Sequence, residues 1–293
     1  MSFTCYNGYS FVFDGKLSDM FGLYMGWRDI QDEWSTGLTR EIVRTEMNMV
    51  RHIPNQYGVK YNDVLVLNFD IFHQDGSPFD YRESRLINNW LLKDTYKRFK
   101  VNDNNVDNVF YKAICTSIQD ITIGDFCGKS ITMTCDSPFA YTIERTKTVD
   151  TRETGSSTLK INNTSDDGIY YPYITIVCEE EYNKTIGICN VTENKEMVLD
   201  MSAISISEHS KIIYIDTEKM LLLDKNYSPI PLYKVGWTIE ENTSKAIQTS
   251  ELYWFRLLEG INEISIGGNA KVIFKLSFPR KAGQINEERN LSM

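Results

Sequence analysis

The chain has 293 residues, 42% of them hydrophobic and 24% charged, so we expect a folded protein of about two domains. No apolar run reaches the ~18 residues that a membrane-spanning helix needs, and we expect no membrane insertion. A net charge of −9 argues against broad, sequence-independent binding of nucleic acid.

The first residues alternate aromatic side chains with small and polar ones, which indicates a strand. They contain no basic segment followed by an apolar core, so we expect no secretory signal and a chain that is made and folded in cytoplasm. Residues 38–53 carry conflicting signals, because helix formers are frequent but apolar residues such as Val43, Met47 and Met49 nearly alternate with polar ones. We predict an extended conformation there.

Residues 64–72 alternate as a half-buried strand does, and they lead into the only convincing amphipathic helix, predicted at residues 80–92. Asp80 and Glu83 have the spacing of a capping box at its start. Four apolar residues then recur at helical spacing and are predicted to anchor the helix on a sheet: Leu86, Ile87, Trp90 and Leu91.

Three further strand-like runs follow the helix, so the first domain is predicted to be an antiparallel β-domain with one packed helix, residues 1–143. Residues 142–157 lose their apolar content and are the best candidate for a boundary or a long exposed connection. Beyond them, short strand-like runs separated by turn-rich gaps predict a β-sandwich, residues 144–293, whose polar end at 280–293 is expected to form an arm or a tail.

Catalytic and metal-binding motifs are missing from the sequence, and we predict no enzyme activity and no cofactor or metal. The acidic pair Asp166-Asp167 and the run Glu179-Glu180-Glu181 could serve a glycosidase, but adjacent acids in turns are more often solvated. The six cysteines include no C-x-x-C pair and are expected to be reduced, buried thiols. Four tryptophans could line a sugar-binding face, although core or interface positions are commoner: Trp27, Trp34, Trp237 and Trp254.

Several short motifs occur together in a fixed order. They are Phe21-Gly22-Leu23, Val59-Lys60-Tyr61-Asn62-Asp63-Val64-Leu65, Arg82-Glu83 with Ile87-Asn88-Asn89-Trp90-Leu91, Ser117-Ile118, Cys135-Asp136-Ser137-Pro138-Phe139-Ala140, Tyr171-Pro172-Tyr173-Ile174, Trp254-Phe255-Arg256-Leu257 and Gly260-Ile261-Asn262-Glu263-Ile264. In these motifs, over nearly its whole length, the chain resembles the distal tail proteins of long, flexible-tailed bacteriophages and prophages.

The resemblance implies a mainly β structural protein without enzyme activity, whose N-terminal domains form a homohexameric ring and whose C-terminal domain is a galectin-like sandwich. It implies a projecting hairpin that embraces the neighbouring subunit. Residues 38–53 lie where that hairpin belongs, so Val43, Met47 and Met49 are the expected subunit interface. The ring would sit at the distal end of the virion tail, after synthesis and assembly in the bacterial host cytoplasm.

The implied partners are other copies of the chain, the tail tube protein, the tail-tip hub or tail-associated lysin, and receptor-binding or baseplate proteins. DNA would pass through the ring without specific binding. The alternative from a different class is a carbohydrate-binding adhesin or glycan-processing β-sandwich protein. We expect the second domain to be a scaffold rather than a lectin, because it offers only His209, Trp237 and Trp254 for a galectin-type sugar face.

Overall fold

The computed structural model describes residues 9–26, 40–44, 56–61, 63–73, 75–102, 109–124, 126–179, 185–201, 210–234, 247–250 and 253–281. The chain divides into two compact units, residues 1–143 with 279–293 and residues 144–278. Both are built mainly of antiparallel strands, as predicted, and a single α-helix occurs in the described part. No helix among these residues is long and apolar enough to cross a membrane.

The first unit begins with ten strands in chain order. They are β1 (Ser10–Phe13), β2 (Lys16–Leu17), β3 (Leu23–Gly26), β4 (Arg40–Arg44), β5 (Gln56–Tyr61), β6 (Val66–His73), β7 (Lys97–Asn102), β8 (Val109–Ile123), β9 (Phe126–Cys135) and β10 (Ala140–Thr142). A short 3-10 helix, Ser18–Phe21, precedes β3, and helix α1, Tyr81–Leu91, lies between β6 and β7.

The main sheet of the first unit has the strand order β2-β1-β7-β8-β9-β6-β3. Its ends meet because Tyr9, just before β1, exchanges two backbone hydrogen bonds with Met25 in β3, of 3.0 and 2.8 Å. The strands β1, β7, β8, β9, β6 and β3 therefore close into a barrel. Aromatic side chains fill its interior, and the largest of them are fully buried: Phe11, Phe13, Phe69, Phe99 and Tyr111.

Helix α1 starts at the capping box that the sequence predicts. The Asp80 side chain accepts a 2.7 Å hydrogen bond from the backbone N–H of Glu83, and the Glu83 side chain accepts one of 3.0 Å from the N–H of Asp80. The helix ends where the N–H of Leu92 donates to the oxygen of Asn88. Both termini thus lie within one residue of the predicted limits.

Three of the four expected helix anchors, Ile87, Trp90 and Leu91, are buried in the core of the first unit. The expectation for Leu86 is wrong, because its side chain is 58% exposed. An α-helix turns by about 100° per residue, so a buried face centred on Ile87 includes Trp90 and Leu91 and leaves Leu86 toward solvent. The sequence spacing alone also permitted a face centred between Leu86 and Trp90.

The second unit consists of two six-stranded sheets, and one core cluster takes side chains from both, so they pack as a β-sandwich. Its strands are β11 (Arg145–Asp150), β12 (Ser156–Asn163), β13 (Tyr173–Glu179), β14 (Thr185–Asn190), β15 (Lys195–Asp200), β16 (Ser210–Asp216), β17 (Leu221–Leu223), β18 (Pro229–Ile230), β19 (Leu232–Lys234), β20 (Ile247–Thr249), β21 (Gly260–Gly267) and β22 (Lys271–Leu276). The sheet orders are β11-β22-β13-β16-β17-β18 and β12-β21-β14-β15-β20-β19.

The polar residues 142–157, expected to be a boundary or a long exposed connection, include the division between the two units after Ile143, but they are not an exposed connection, since they contain β11 and the start of β12. Strand β11 lies at a sheet edge and buries only Val149, so its other positions could be polar without loss of pairing. A last strand, β23 (Pro279–Arg280), pairs with β10 in the first unit. Residues 282–293, the rest of the expected tail, lie outside the described residues.

Candidate assembly surface

Strands β4 and β5 form a separate two-stranded antiparallel sheet. Among the described strands they pair only with each other, and a register shift between Val43 and Arg44 interrupts the pairing. We call this pair of strands the hairpin. At its base the ring of Tyr61 packs edge-on against that of Phe139, with 5.0 Å between centroids, so the hairpin is attached to the first unit there.

The hairpin presents apolar side chains to solvent on both faces. Ile42 and Val59 lie directly opposite each other and therefore share one face, where they are 50% and 47% exposed. Val43 lies opposite Gly58 on the other face and is 42% exposed. Glu41 is paired with Lys60 on that second face, so opposite charges lie beside Val43. The hairpin thus exposes branched apolar side chains on both faces, while its two strands carry three basic residues and one acidic residue.

The structure places one of the three expected interface residues, Val43, on this surface, and Met47 and Met49 lie outside the described residues. The sequence reading assigned the hairpin to residues 38–53, whereas the second strand lies at Gln56–Tyr61. Val59 thus lies outside the expected range, whereas Ile42 lies inside it but was not among the expected interface residues. The alternation of Gln56, Gly58 and Lys60 with Tyr57, Val59 and Tyr61 is the signal in the sequence that indicates this second strand.

Groups that could carry chemistry are dispersed in the structure. No cluster of three His, Cys, Asp or Glu side chains suited to a metal occurs among the described residues. Asp166 and Asp167 are exposed in a loop. Burial raises the pKa of the Cys115 thiol to about 11 and that of Cys135 to about 12, so both thiols remain protonated and unreactive at neutral pH.

The tryptophans considered for a sugar face are not brought together in the described part of the chain. Trp254 packs, partly buried, against the sandwich core, and Trp27, Trp34 and Trp237 lie outside the described residues. Beside Trp254, Tyr253 donates a 2.8 Å hydrogen bond to Glu193, and the Nε of Arg256 donates one of 2.9 Å to the same carboxylate. These hydrogen bonds connect the segment of Tyr253 and Arg256 to the turn that follows β14, and both of them are accepted by the Glu193 carboxylate.

Comparison with known proteins agrees with the resemblance read from the sequence. The family described as phage tail protein N-terminal domain matches residues 6–137, which hold the barrel strands up to β9, helix α1 and the hairpin. No curated protein matches the chain. Among solved structures, the crystal structure of the Dit (gp 19.1) protein of phage SPP1 matches with a TM-score of 0.57 and 13% identity, over 92% of this chain and 99% of that one.

The SPP1 protein is described as a paradigm of the hub adsorption apparatus in phages that infect Gram-positive bacteria. At 13% identity the likeness concerns the fold, which extends through both units of this chain. The family match is independent of it and covers the unit that carries the hairpin. Together the two comparisons support a phage distal tail protein: residues 6–137 match the phage tail protein N-terminal domain family, and the chain has the fold of the SPP1 Dit protein.

Proposed function

We propose that six copies of this chain form a closed ring at the distal end of the phage tail, with the hairpin of each subunit packed on its neighbour. The ring would join the tail tube protein to the tail-tip hub or tail-associated lysin, and to receptor-binding or baseplate proteins. The sandwich of the second unit would be its galectin-like peripheral domain. The role is structural and requires no enzyme activity or cofactor.

The observation that carries the proposal is the hairpin itself. A two-stranded sheet is marginally stable alone in water, and this one exposes Ile42, Val43 and Val59 instead of burying them. A contact with another subunit would remove this apolar surface from water at about 25 cal/mol per Å². The contact joins the hairpin of one copy to a different surface of the next, so it repeats head to tail and closes when the rotation permits.

The net charge of −9 supports the expectation that DNA passes through such a ring without adhering to it. Tight DNA binding by the assembled ring at physiological salt would contradict that expectation.

Light scattering on purified protein tests the ring. We expect a mass of six subunits, either for the chain alone or after addition of tail tube protein. Ile42→Asp puts a charge on the hairpin face that would be buried, so it should give a monomer with an unchanged circular dichroism spectrum and melting temperature. Val191→Asp is the matched control, because Val191 is a similarly exposed valine of the second unit, and this variant should still form the ring.

Two results would reject the proposal in different ways. Hexamers of Ile42→Asp would show that the hairpin does not hold the ring together. A chain that stays monomeric with tail tube protein and in purified tails would exclude the ring itself.

A further inference from the structure

Three tyrosines form a continuous row on the solvent face of the sheet that contains β13 and β16. Tyr173 lies in β13, Tyr214 in β16 and Tyr227 in the turn after β17. The rings of Tyr214 and Tyr227 are stacked, with 4.8 Å between centroids and 8° between planes, and those of Tyr173 and Tyr214 are 6.2 Å apart. The residues that flank Tyr173 and Tyr214 in their strands, Ile174, Ile213 and Ile215, point to the core. We call these three residues the tyrosine row.

Tyr227 is held in place by a specific and strained turn. The Asp224 carboxylate accepts 2.8 Å hydrogen bonds from the N–H groups of Asn226 and Ser228, and the N–H of Tyr227 donates to the Asp224 backbone oxygen at 2.9 Å. Tyr227 has a φ of 61°, which is uncommon for a bulky side chain and costs of order 1–3 kcal/mol. Glycine or asparagine would adopt this backbone conformation at lower cost.

One ring face of Tyr227 is covered by Tyr214, and the residue is still 63% exposed, so its other face is open to solvent. Cross-strand packing accounts for Tyr173 and Tyr214, since aromatic neighbours stabilise a sheet. Tyr227 lies outside the strands, and its stacking and side-chain hydrogen bond with Tyr214 engage only one of its ring faces. The outer ring face of Tyr227, held in position by this turn, is therefore available to contact a ligand.

Polar groups surround the row. Thr175 lies directly opposite Tyr214 in the register and is 7% exposed, yet its Oγ1 has no hydrogen-bond partner among the described residues. In the register Lys275 and Asp216 flank Tyr173 on either side, and the Asp216 carboxylate is also paired with Lys219, whose Nζ lies 3.4 Å from its Oδ2. The Nζ of Lys275 lies 5.4 Å from the centroid of the Tyr173 ring. Burial raises the pKa of Tyr173 to about 12, so its hydroxyl remains a hydrogen-bond donor at neutral pH.

We infer that the tyrosine row is a binding site for an uncharged saccharide. The apolar face of a pyranose ring would stack on the open face of Tyr227, and its hydroxyls would bond to the phenol groups and to the flanking Lys275 and Asp216. Lys219 neutralises Asp216, and the Asp224 carboxylate in the turn of Tyr227 offsets the charge of Lys275, which favours a neutral ligand over a phosphate-rich one. A protein partner fits less well, because a stable contact needs about 800 Å² on each side and the open aromatic surface is essentially one ring face.

This inference revises the expectation that the second domain is only a scaffold. That expectation considered His209 and two tryptophans, whereas the row consists of tyrosines separated in sequence by up to 54 residues, since Tyr173 and Tyr227 are its ends. Pairing of β13 with β16 and the turn after β17 bring them together. The site does not depend on the proposed ring, and either could fail without the other.

A glycan array probed with the full chain tests the site, followed by calorimetric titration with the strongest neutral oligosaccharide. We expect binding by the natural chain and a loss of at least about tenfold in affinity for Tyr227→Gly, about 1.4 kcal/mol. Glycine relieves the positive φ, so this variant should fold at least as stably as the natural chain. Tyr227→Phe keeps the stacking face and should retain most of the binding.

Tyr233→Ala is the matched control, because Tyr233 is a half-buried tyrosine of β19 in the opposite sheet, and it should bind as the natural chain does. The inference is overturned if the natural chain binds no glycan on the array. It is equally overturned if Tyr227→Gly binds as tightly as the natural chain, or if Tyr233→Ala loses binding to the same extent.

Discussion

The indole Nε1 of Trp90 donates a 2.9 Å hydrogen bond to the backbone oxygen of Phe13, 77 residues earlier in the chain. The same indole stacks on the ring of Phe11, 5.4 Å away, and on that of Phe21, 4.5 Å away. One side chain thus joins helix α1 to the first strand of the barrel and to the short 3-10 helix. It provides both a polar bond and an aromatic contact at the same place.

Trp90→Ala should therefore destabilise the first unit by about 3–5 kcal/mol, because a large buried ring is replaced by a cavity. Trp90→Phe keeps most of the packing but leaves the Phe13 oxygen without its donor, and should cost about 1–3 kcal/mol. Chemical denaturation would measure both changes. Leu86→Ala on the exposed face of the same helix is the control and should stay within about 0.5 kcal/mol. Equal effects of Trp90→Phe and Leu86→Ala would mean that the hydrogen bond contributes little.

The carboxylate of Glu193 should make the second unit sensitive to acid. The side-chain hydrogen bond from Arg256 lowers the pKa of Glu193. A group whose pKa is lower in the folded state stabilises that state above its unfolded pKa, and this stabilisation is lost as pH falls through the folded pKa. Glu193→Gln should thus be less stable than the natural chain at neutral pH, and the difference should shrink as the pH falls below the ordinary pKa of a glutamate, about 4.3.

Thermal melting of the two proteins across that pH range would test the effect. Asp150→Asn serves as a comparison. Arg152 lowers the pKa of Asp150 to about 2, but the pair is solvent-exposed and contributes less to stability. A Glu193→Gln deficit that does not change with pH would assign its effect to lost packing rather than to charge.

Gly268 should tolerate no side chain, for two separate reasons. Its φ is 96°, and a Cβ there would lie 2.5 Å from the backbone oxygen of Thr185. Gly260 has a φ of 83° but open space around it, so it isolates the backbone effect. Gly268→Ala should therefore have a much lower melting temperature than Gly260→Ala, because Gly260→Ala strains only the backbone, whereas Gly268→Ala also creates a steric clash. Equal melting temperatures would show that the Thr185 strand moves aside at little cost.

The sequence predicted the features that local chemistry determines. The capping box at Asp80 needs only two residues three apart, and the alternation in β6 predicts the buried face of Leu67, Phe69 and Ile71, although Asp70 on the other face is buried as well. The position of Leu86 and the second strand of the hairpin depended on contacts with distant residues, so spacing alone could not decide them. Strand β11 was missed because an edge strand with a single inward residue carries almost no apolar signal.

The tyrosine row shows the same limit for a candidate site. Each tyrosine taken alone is ordinary in a sequence with 17 of them. Only the register that sets Tyr173 beside Asp216 and Tyr214 beside Thr175 gives them a common surface. The positive φ of Tyr227 has no sequence signal other than the Asp224 turn that precedes it.

The closure of the barrel also constrains the order in which the chain can fold. Strand β1 pairs with β7, so Ser10 reaches a partner, Asn102, that is 92 residues further along the chain. During synthesis the first strand must wait until β7 has left the ribosome, at about 5–20 residues per second, before its edge can be covered. The closing of so long a loop is entropically costly and makes folding slow. For several seconds the aromatic residues of β1 are available to nascent-chain chaperones, and to the same strand of neighbouring copies on a polysome.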